Sequence, residues 1–393
     1  MRGARILTAI GLWAGTAGLA LALGQTAPTA PSAQYAWQLP DGWPTPKVPL
    51  DNPMSTAKVA LGRLLFYDTR LSANGTQSCA TCHVQAHAFA DAKPVAIGST
   101  GQAHPRSSMS LVNIAYAGTL TWVNPTLHLL EEQALVPMFG NRPIELGLAP
   151  GGGAWLDRLR QVPIYRRQFV EAFGATPDPF TIANITRALA SFERTIISAR
   201  SPYDRSEFDP SALSVEARRG EGIYFGTQAS CFRCHGGFTL ASYNIEFEGR
   251  PEGGEAPGFF NTGLYNLAGP FRYPADATGL YAYTKRVADV GKFKAPTLRN
   301  IAVTAPYMHD GSIATLDAVL DHYAAGGRTI ASGPHAGIGR DNPGKSTIVG
   351  GFALSPADRR ALLAFLRALT DDALLTDARW SNPWTGATAP AAR

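Results

Sequence analysis

The 393-residue chain has only four cysteines, no cluster of Lys and Arg, and little strand-like alternation of apolar with polar residues. The missing basic cluster leaves nothing that suggests nucleic acid. Of the formal charge of +5, Arg2 and Arg5 at the start supply two, so the rest of the chain carries only +3. Scarce alternation argues for a mainly α class. So few thiols leave room for one zinc site, two disulfides or a paired use of another kind. Against these scarcities stand 40 glycines, 29 prolines and 45% apolar residues. The apolar share is enough for cores, and the Gly and Pro predict short helices joined by long shaped loops. The length suits two domains.

All four cysteines fall in two short motifs, Cys79-Ala80-Thr81-Cys82-His83 and Cys231-Phe232-Arg233-Cys234-His235. A zinc site built from two such pairs usually has its halves roughly 15–20 residues apart, whereas most of a domain separates these. A redox pair would not need a histidine after both copies. Covalent attachment of haem c needs both features: two thiols for the vinyl groups and an adjacent imidazole for the iron. The motifs therefore predict two covalently bound haem c groups, with His83 and His235 each ligating one haem iron.

The start reads as a signal peptide, 1–24, with Arg2 and Arg5, an apolar run over 6–23 and the small-residue site Ala22-Leu23-Gly24. Its cleavage leaves no membrane segment and places the protein in the periplasm, where haem c is attached. An uncleaved anchor would need Thr8, Gly11, Gly15 and Thr16 to count as apolar. Residues 25–46, rich in Ala, Pro, Thr and Gln, read as a linker. A helix follows over 55–67, then a loop at 72–76 leads to the first motif. The second half repeats this plan, with a helix over 215–225 in which Gly220 is placed like Gly62. This weak repeat predicts two tandem cytochrome c-like haem domains with long loops, 47–201 and 202–393. The longest helical pattern, 181–198, carries Ile182, Ile185, Leu189, Phe192 and Ile196 on one face. The last helix starts at Ser355 as N-cap, with Pro356 in the first turn and Asp358 completing a capping box. Residues 339–346 fit a P-loop expression but lack the strand before and the helix after that its mechanism requires.

Each iron has a second axial position, whose occupant sets the potential and the chemistry. Over 313–325, Leu316, Val319, Leu320 and Tyr323 share a helical face, so Tyr323 points inward, as a ligand or as a packed core residue. His322 lies about 100° round and should face outward. Near the first motif, Gln133 and Glu145 could move protons and polarise a bound peroxide, or be ordinary exposed residues. Trp122 reads as core rather than as an electron conduit.

At these residues the chain resembles the bacterial di-haem cytochrome c peroxidase/MauG family over nearly all its mature length. Lys294-Ala295-Pro296-Thr297-Leu298-Arg299-Asn300 and Tyr307-Met308-His309-Asp310-Gly311 carry the resemblance most specifically. The stretches 109–125 and 135–148 are similar to the MbnH-like di-haem enzymes associated with copper-binding partner proteins in methanobactin clusters. The resemblance implies that His83 is the proximal ligand of a peroxide-reacting haem, with Gln133 and Glu145 in its distal pocket. His235 would serve the electron-transfer haem, Tyr323 would be its second ligand, and Trp122 would relay electrons between the two. The gaps from Trp122 to Gln133 and from Gln133 to Glu145 are one and two residues longer than the family's. A calcium ion would sit at Ser107, Thr304 and Pro306, with Ser107 replacing an asparagine. The resting histidine ligand has no clean counterpart, His104 and His87 being the alternatives. Three functions follow: an enzyme that uses hydrogen peroxide to oxidise a partner protein residue, a cytochrome c peroxidase fed by a small redox protein, or a passive di-haem carrier. A tyrosinate, which favours oxidised iron where methionine favours reduced iron, points to the first.

Overall fold

The computed structural model describes residues 33–241 and 258–385; the expected leader and residues 25–32 of the expected linker lie outside the described residues. The chain is mainly helical with little sheet. In chain order the first helices are α1 (Thr56–Phe66), α2 (Cys79–Cys82), α3 (Leu130–Gln133), α4 (Leu135–Phe139), α5 (Ala154–Arg160) and α6 (Pro163–Phe173). Then come α7 (Ile182–Glu193), α8 (Pro202–Arg205), α9 (Val215–Phe225), α10 (Tyr281–Thr284), α11 (Leu316–Ala324) and α12 (Pro356–Ala368). Two antiparallel strand pairs are only two residues long: β1 (Phe259–Phe260) with β2 (Phe293–Lys294), and β3 (Thr329–Ile330) with β4 (Gly337–Ile338). Among the described residues no helix is long and apolar enough to cross a membrane.

Two helix pairs organise the cores. Ser55 caps α1 by accepting from Lys58 N at 3.2 Å, which satisfies a donor that a helix start leaves free. The α1 helix crosses α7 at Gly62, where a Cβ would overlap Ala188 O and stand 2.9 Å from the Phe192 Cβ. In the second half α9 crosses α12 at Gly220, where a Cβ would overlap Ala361 O and stand 2.9 Å from the Phe365 Cβ. The repeat read from Gly62 and Gly220 is thus a repeated helix crossing. Leu61, Leu65, Phe66, Phe169, Leu189 and Phe192 fill the first core. Ile223, Tyr224, Leu362, Phe365 and Leu369 fill the second. Each such side chain contributes about 1.5–3 kcal/mol by burial.

Four expectations change. The helix expected over 181–198 ends at Glu193, capped by Arg194. The next residues, Thr195, Ile196 and Ile197, are β-branched, which lowers helix propensity, and Asn113 takes over their backbone. Its amide donates to Ile196 O at 2.8 Å, its side chain to Ser198 O at 3.0 Å, and Ser198 N donates back at 2.9 Å. Second, the linker stretch is anchored rather than loose at Trp43, which packs edge-on against Tyr116 and Phe238. Third, residues 374–384, placed by sequence in the second half, return to the first. Trp380 and Trp384 donate to Thr195 O and Leu64 O, and Tyr67 donates to Trp380 O at 2.6 Å. Two large indoles need burial with a partner for each N–H, and the first core supplies both. Fourth, the Asp358 carboxylate takes the Ser355 hydroxyl at 2.7 Å, while the hydroxyl accepts from Asp358 N, in place of a reciprocal capping box.

Candidate functional site

The two cysteine motifs are built alike. In the first, α2 carries Cys79 and Cys82, and the chain turns back so that Val84 pairs with Ala90. Ala88 and Phe89 take positive φ in this turn, 50° and 58°. That turn aims Phe89 O at His83 Nδ1, 2.8 Å away. In the second, Pro296 O lies 2.9 Å from His235 Nδ1. The 294–300 stretch is held against the motif's loop: Thr297 Oγ1 donates to Thr239 O at 2.6 Å and Leu298 N to Leu240 O at 3.0 Å. Arg299 donates to Phe238 O at 2.8 Å through Nε and forks onto Asp204 through Nη1 at 2.7 and 2.9 Å.

A carbonyl at Nδ1 fixes the imidazole's tautomer and leaves Nε2 as the nitrogen for a metal. Burial keeps both rings neutral, lowering His83 below the usual histidine value and His235 to about 4. All four thiols are free, and burial pushes Cys82 and Cys234 up to about 11. Among the described residues no three His, Cys, Asp or Glu side chains converge on one point, so the four cysteines do not form a shared tetrahedral site. Two protonated thiols and one oriented imidazole per motif fit haem c.

A cavity with about 810 Å³ of empty space, part of it open to solvent, is lined by Cys79, Cys82 and His83 together with His104, Gln133 and Glu145. Burial raises the Glu145 carboxyl above the usual carboxylate range, with the Arg106 guanidinium opposing. His104 Nε2 lies 3.9 Å from Glu145 Oε1, and burial with Arg106 pushes its ring down to about 4. His87 lies elsewhere, 3.3 Å from Val303 O through Nδ1. The structure therefore brings Gln133, Glu145 and His104 to the first motif and leaves His87 out.

On α11, Thr315 caps the start by accepting from Ala318 N at 3.2 Å, and Tyr323 lies on the inward side. Burial first, then the neighbouring Cys234 and Cys231, raise its phenol well above the ordinary value, so Tyr323 stands at the second motif. Its hydroxyl makes no hydrogen bond to any described residue. His322 does not face outward: it is 4% exposed, and among the described residues neither ring nitrogen has a hydrogen-bond partner of good geometry. Loops cover this side of α11 too, with Phe352 N donating to Ala324 O at 3.1 Å.

Trp122 lies outside the cavity. Its indole donates to Ser107 O at 2.9 Å and its carbonyl accepts from Lys294 N at 3.0 Å, so it joins segments of both halves. The Ser107 hydroxyl donates to Met308 O at 3.1 Å and the Thr304 hydroxyl to Ile301 O at 3.2 Å. A calcium ion here would draw on the Ser107 hydroxyl, which is already engaged, and on the backbone carbonyls of Thr304 and Pro306. That is a neutral donor set without a carboxylate and so a weak one for a hard cation.

Sequence reasoning missed Glu193. It lines the same cavity, is 6% exposed, and burial pushes its carboxyl up to about 8. The signal was its place four residues after Leu189, on the apolar face of α7.

Residues 56–208 match the family described as di-haem cytochrome c peroxidase. The chain is 36% identical to the cytochrome-c peroxidase IdrP1 of Denitromonas iodatirespirans, over 90% of this chain and 92% of that protein. It is 33% identical to the methylamine utilization protein MauG of Methylorubrum extorquens, over 84% and 82% of the two. A crystal structure of a MauG-like protein associated with microbial copper homeostasis superposes with a TM-score of 0.85 at 46% identity, covering 89% of this chain and 99% of that one.

Proposed function

The chain belongs to the di-haem cytochrome c peroxidase family, and on that premise we propose that it reduces hydrogen peroxide with electrons drawn from a residue of a partner protein. It is a di-haem peroxidase-type oxidoreductase; the source of the electrons is the proposal. The observation that carries it is Tyr323, a half-buried residue whose phenol lies close enough to Cys234 and Cys231 to be raised by them. Two tandem haem c groups, one per motif in the halves 47–201 and 202–393, would supply the electron transfer and the reduction of peroxide. Cys79 and Cys82 would tether the first and Cys231 and Cys234 the second, with His83, His235 and Tyr323 as iron ligands.

The chain's own residues do the rest. Glu145, with its raised carboxyl, takes a proton from incoming peroxide and returns one to the departing oxygen. Gln133 orients the peroxide by hydrogen bonds. His104 is the histidine that the cavity offers as a resting ligand. Trp122, bonded to segments of both halves, is the relay between them. One peroxide takes up two electrons and two protons and yields two waters; the partner residue supplies both electrons. No step is derived through calcium at Ser107, Thr304 and Pro306. The leader 1–24 directs export to the periplasm and is removed there. The partner is a secreted copper-binding protein, a reading supported by the similarity to the MauG-like protein of copper homeostasis.

The test mixes the haem-loaded protein with hydrogen peroxide and the copper-binding secreted protein encoded beside it, then maps the partner's peptides by mass spectrometry. A peroxide-dependent mass change at one partner residue supports the reading. An unchanged partner, with peroxide consumed only when a reduced small cytochrome is added, favours the alternative suggested by the 36% identity to a cytochrome-c peroxidase.

A further inference from the structure

We infer that the ion pair of Glu131 and Arg194, which stands behind the wall of the first cavity, is a positioning device for two of the polar groups in that wall. The inference rests on the reading above that this cavity receives the peroxide-reacting haem. Glu131 precedes Gln133 by two residues on α3, and Arg194 directly follows Glu193 at the end of α7. Gln133 and Glu193 line the cavity, whereas Glu131 and Arg194 do not. Arg194 Nη1 donates to Glu131 Oε1 and Nη2 to Oε2, both at 2.8 Å. The two side chains are 4% and 15% exposed.

A planar guanidinium meeting a carboxylate through two parallel bonds fixes angle as well as distance. The pair is itself held from a third side. Asn52 Nδ2 donates to Glu131 Oε1 at 2.6 Å and to Arg187 O at 3.1 Å, while Lys58 Nζ donates to Asn52 Oδ1 at 3.0 Å. The α1 and α7 helices and the segment before α1 thus all converge on one carboxylate of α3.

That carboxylate matters because α3 cannot hold itself. It is four residues long and joined through Ala134 to the five residues of α4, neither with a side-chain cap. Helices this short are unstable without tertiary support, to which Leu130 against Ala190 also contributes. A bidentate pair to a long, well-packed helix sets where α3 lies, and so where Gln133 points. The same pair fixes the last turn of α7, and so the Glu193 carboxyl. Stability alone is a weak reason for such a pair, because two apolar residues of similar volume often serve as well or better. Geometry is the reason that remains.

This difference gives the experiment. Three haem-loaded variants are compared with wild type: Glu131→Gln, Arg194→Lys, and the double variant Glu131→Leu with Arg194→Met. Each is read by thermal unfolding, by the ferric electron paramagnetic resonance spectrum without peroxide or partner, and by the stopped-flow rate with hydrogen peroxide. Glu131→Gln should lose stability, since Arg194 is left buried without its counter-charge. The double variant should regain stability but keep an altered ferric signal at the first haem and react at least ten-fold more slowly. Arg194→Lys, which keeps the charge and loses the fork, should show the altered signal with a smaller loss of stability. If Glu131→Gln does not load haem, Arg194→Lys carries the same test. A double variant with both the wild-type signal and the wild-type rate would overturn the inference and leave the pair a structural one. The ferric signal needs neither partner nor peroxide, so this outcome is separate from failure of the partner-oxidation reading.

Discussion

Gly62 and Gly220 make the same close approach in the two halves: each lets its helix settle onto a backbone carbonyl, of Ala188 in one and Ala361 in the other. Each also faces a phenylalanine four residues on, Phe192 or Phe365, whose Cβ would stand 2.9 Å from an added methyl. Backbone cannot yield as a flexible side chain can. Gly62→Ala and Gly220→Ala should each cost at least about 1–3 kcal/mol through overpacking, despite alanine's better helix propensity. Urea unfolding would check this. A stability equal to or above wild type would show that the crossings have slack.

Glu193 should make stability fall with rising pH. Its carboxyl is pushed up by burial to about 8, with Arg194 lowering it and Glu131 raising it, against about 4.3 for an unfolded glutamate. Between those values the folded state binds more protons than the unfolded one, so each step up in pH favours unfolding. The loss begins above the unfolded pKa and is complete once pH passes the folded one. Glu193→Gln removes this slope. Its stability relative to wild type should grow from pH 5 to pH 8 in urea titrations. Parallel curves would place the wild-type carboxylate in an ionised, compensated setting.

Glu145→Gln should keep both haems and slow the reaction with hydrogen peroxide by about 10²–10⁴-fold, the usual worth of a positioned proton carrier. Burial raises the Glu145 carboxyl, and the basic form accepts the first proton. The wild-type rate should therefore rise with pH through that raised value and level off above it, while the variant's rate stays flat there. Stopped-flow spectra across pH give the answer; wild-type rates in the variant would remove Glu145 from the proton path.

Much of this was legible in the chain. Ser55, Ser214 and Ser355 each stand where their helices begin and cap them, because a capping hydroxyl and an apolar period are local signals. The end of α7 was not legible, since it is set by Asn113, 85 positions from Ser198. Nor was the partner of Glu131, an apparently exposed helix carboxylate whose arginine lies 63 positions on. His322 misled for a different reason. A helical wheel assumes one wet face, and α11 is covered on two sides because Gly326 and Gly327 let the 339–351 loops approach its end. The returning tryptophans 380 and 384 show the same limit: the chain says that they must be buried but not where.

Tyr323 tests the central claim most directly. In its present setting burial keeps the phenol protonated, yet ferric iron at the second motif would favour the phenolate strongly enough to overcome even an ordinary pKa of about 10. Resonance Raman spectra of the resting ferric protein, wild type against Tyr323→Phe, decide whether it does. The account predicts phenolate vibrations coupled to iron in the wild type, their loss in the variant, and a changed ligand signature at the second haem with the first unaltered. Identical spectra in the two proteins would make Tyr323 a packed core tyrosine and contradict the partner-oxidising reading at its base.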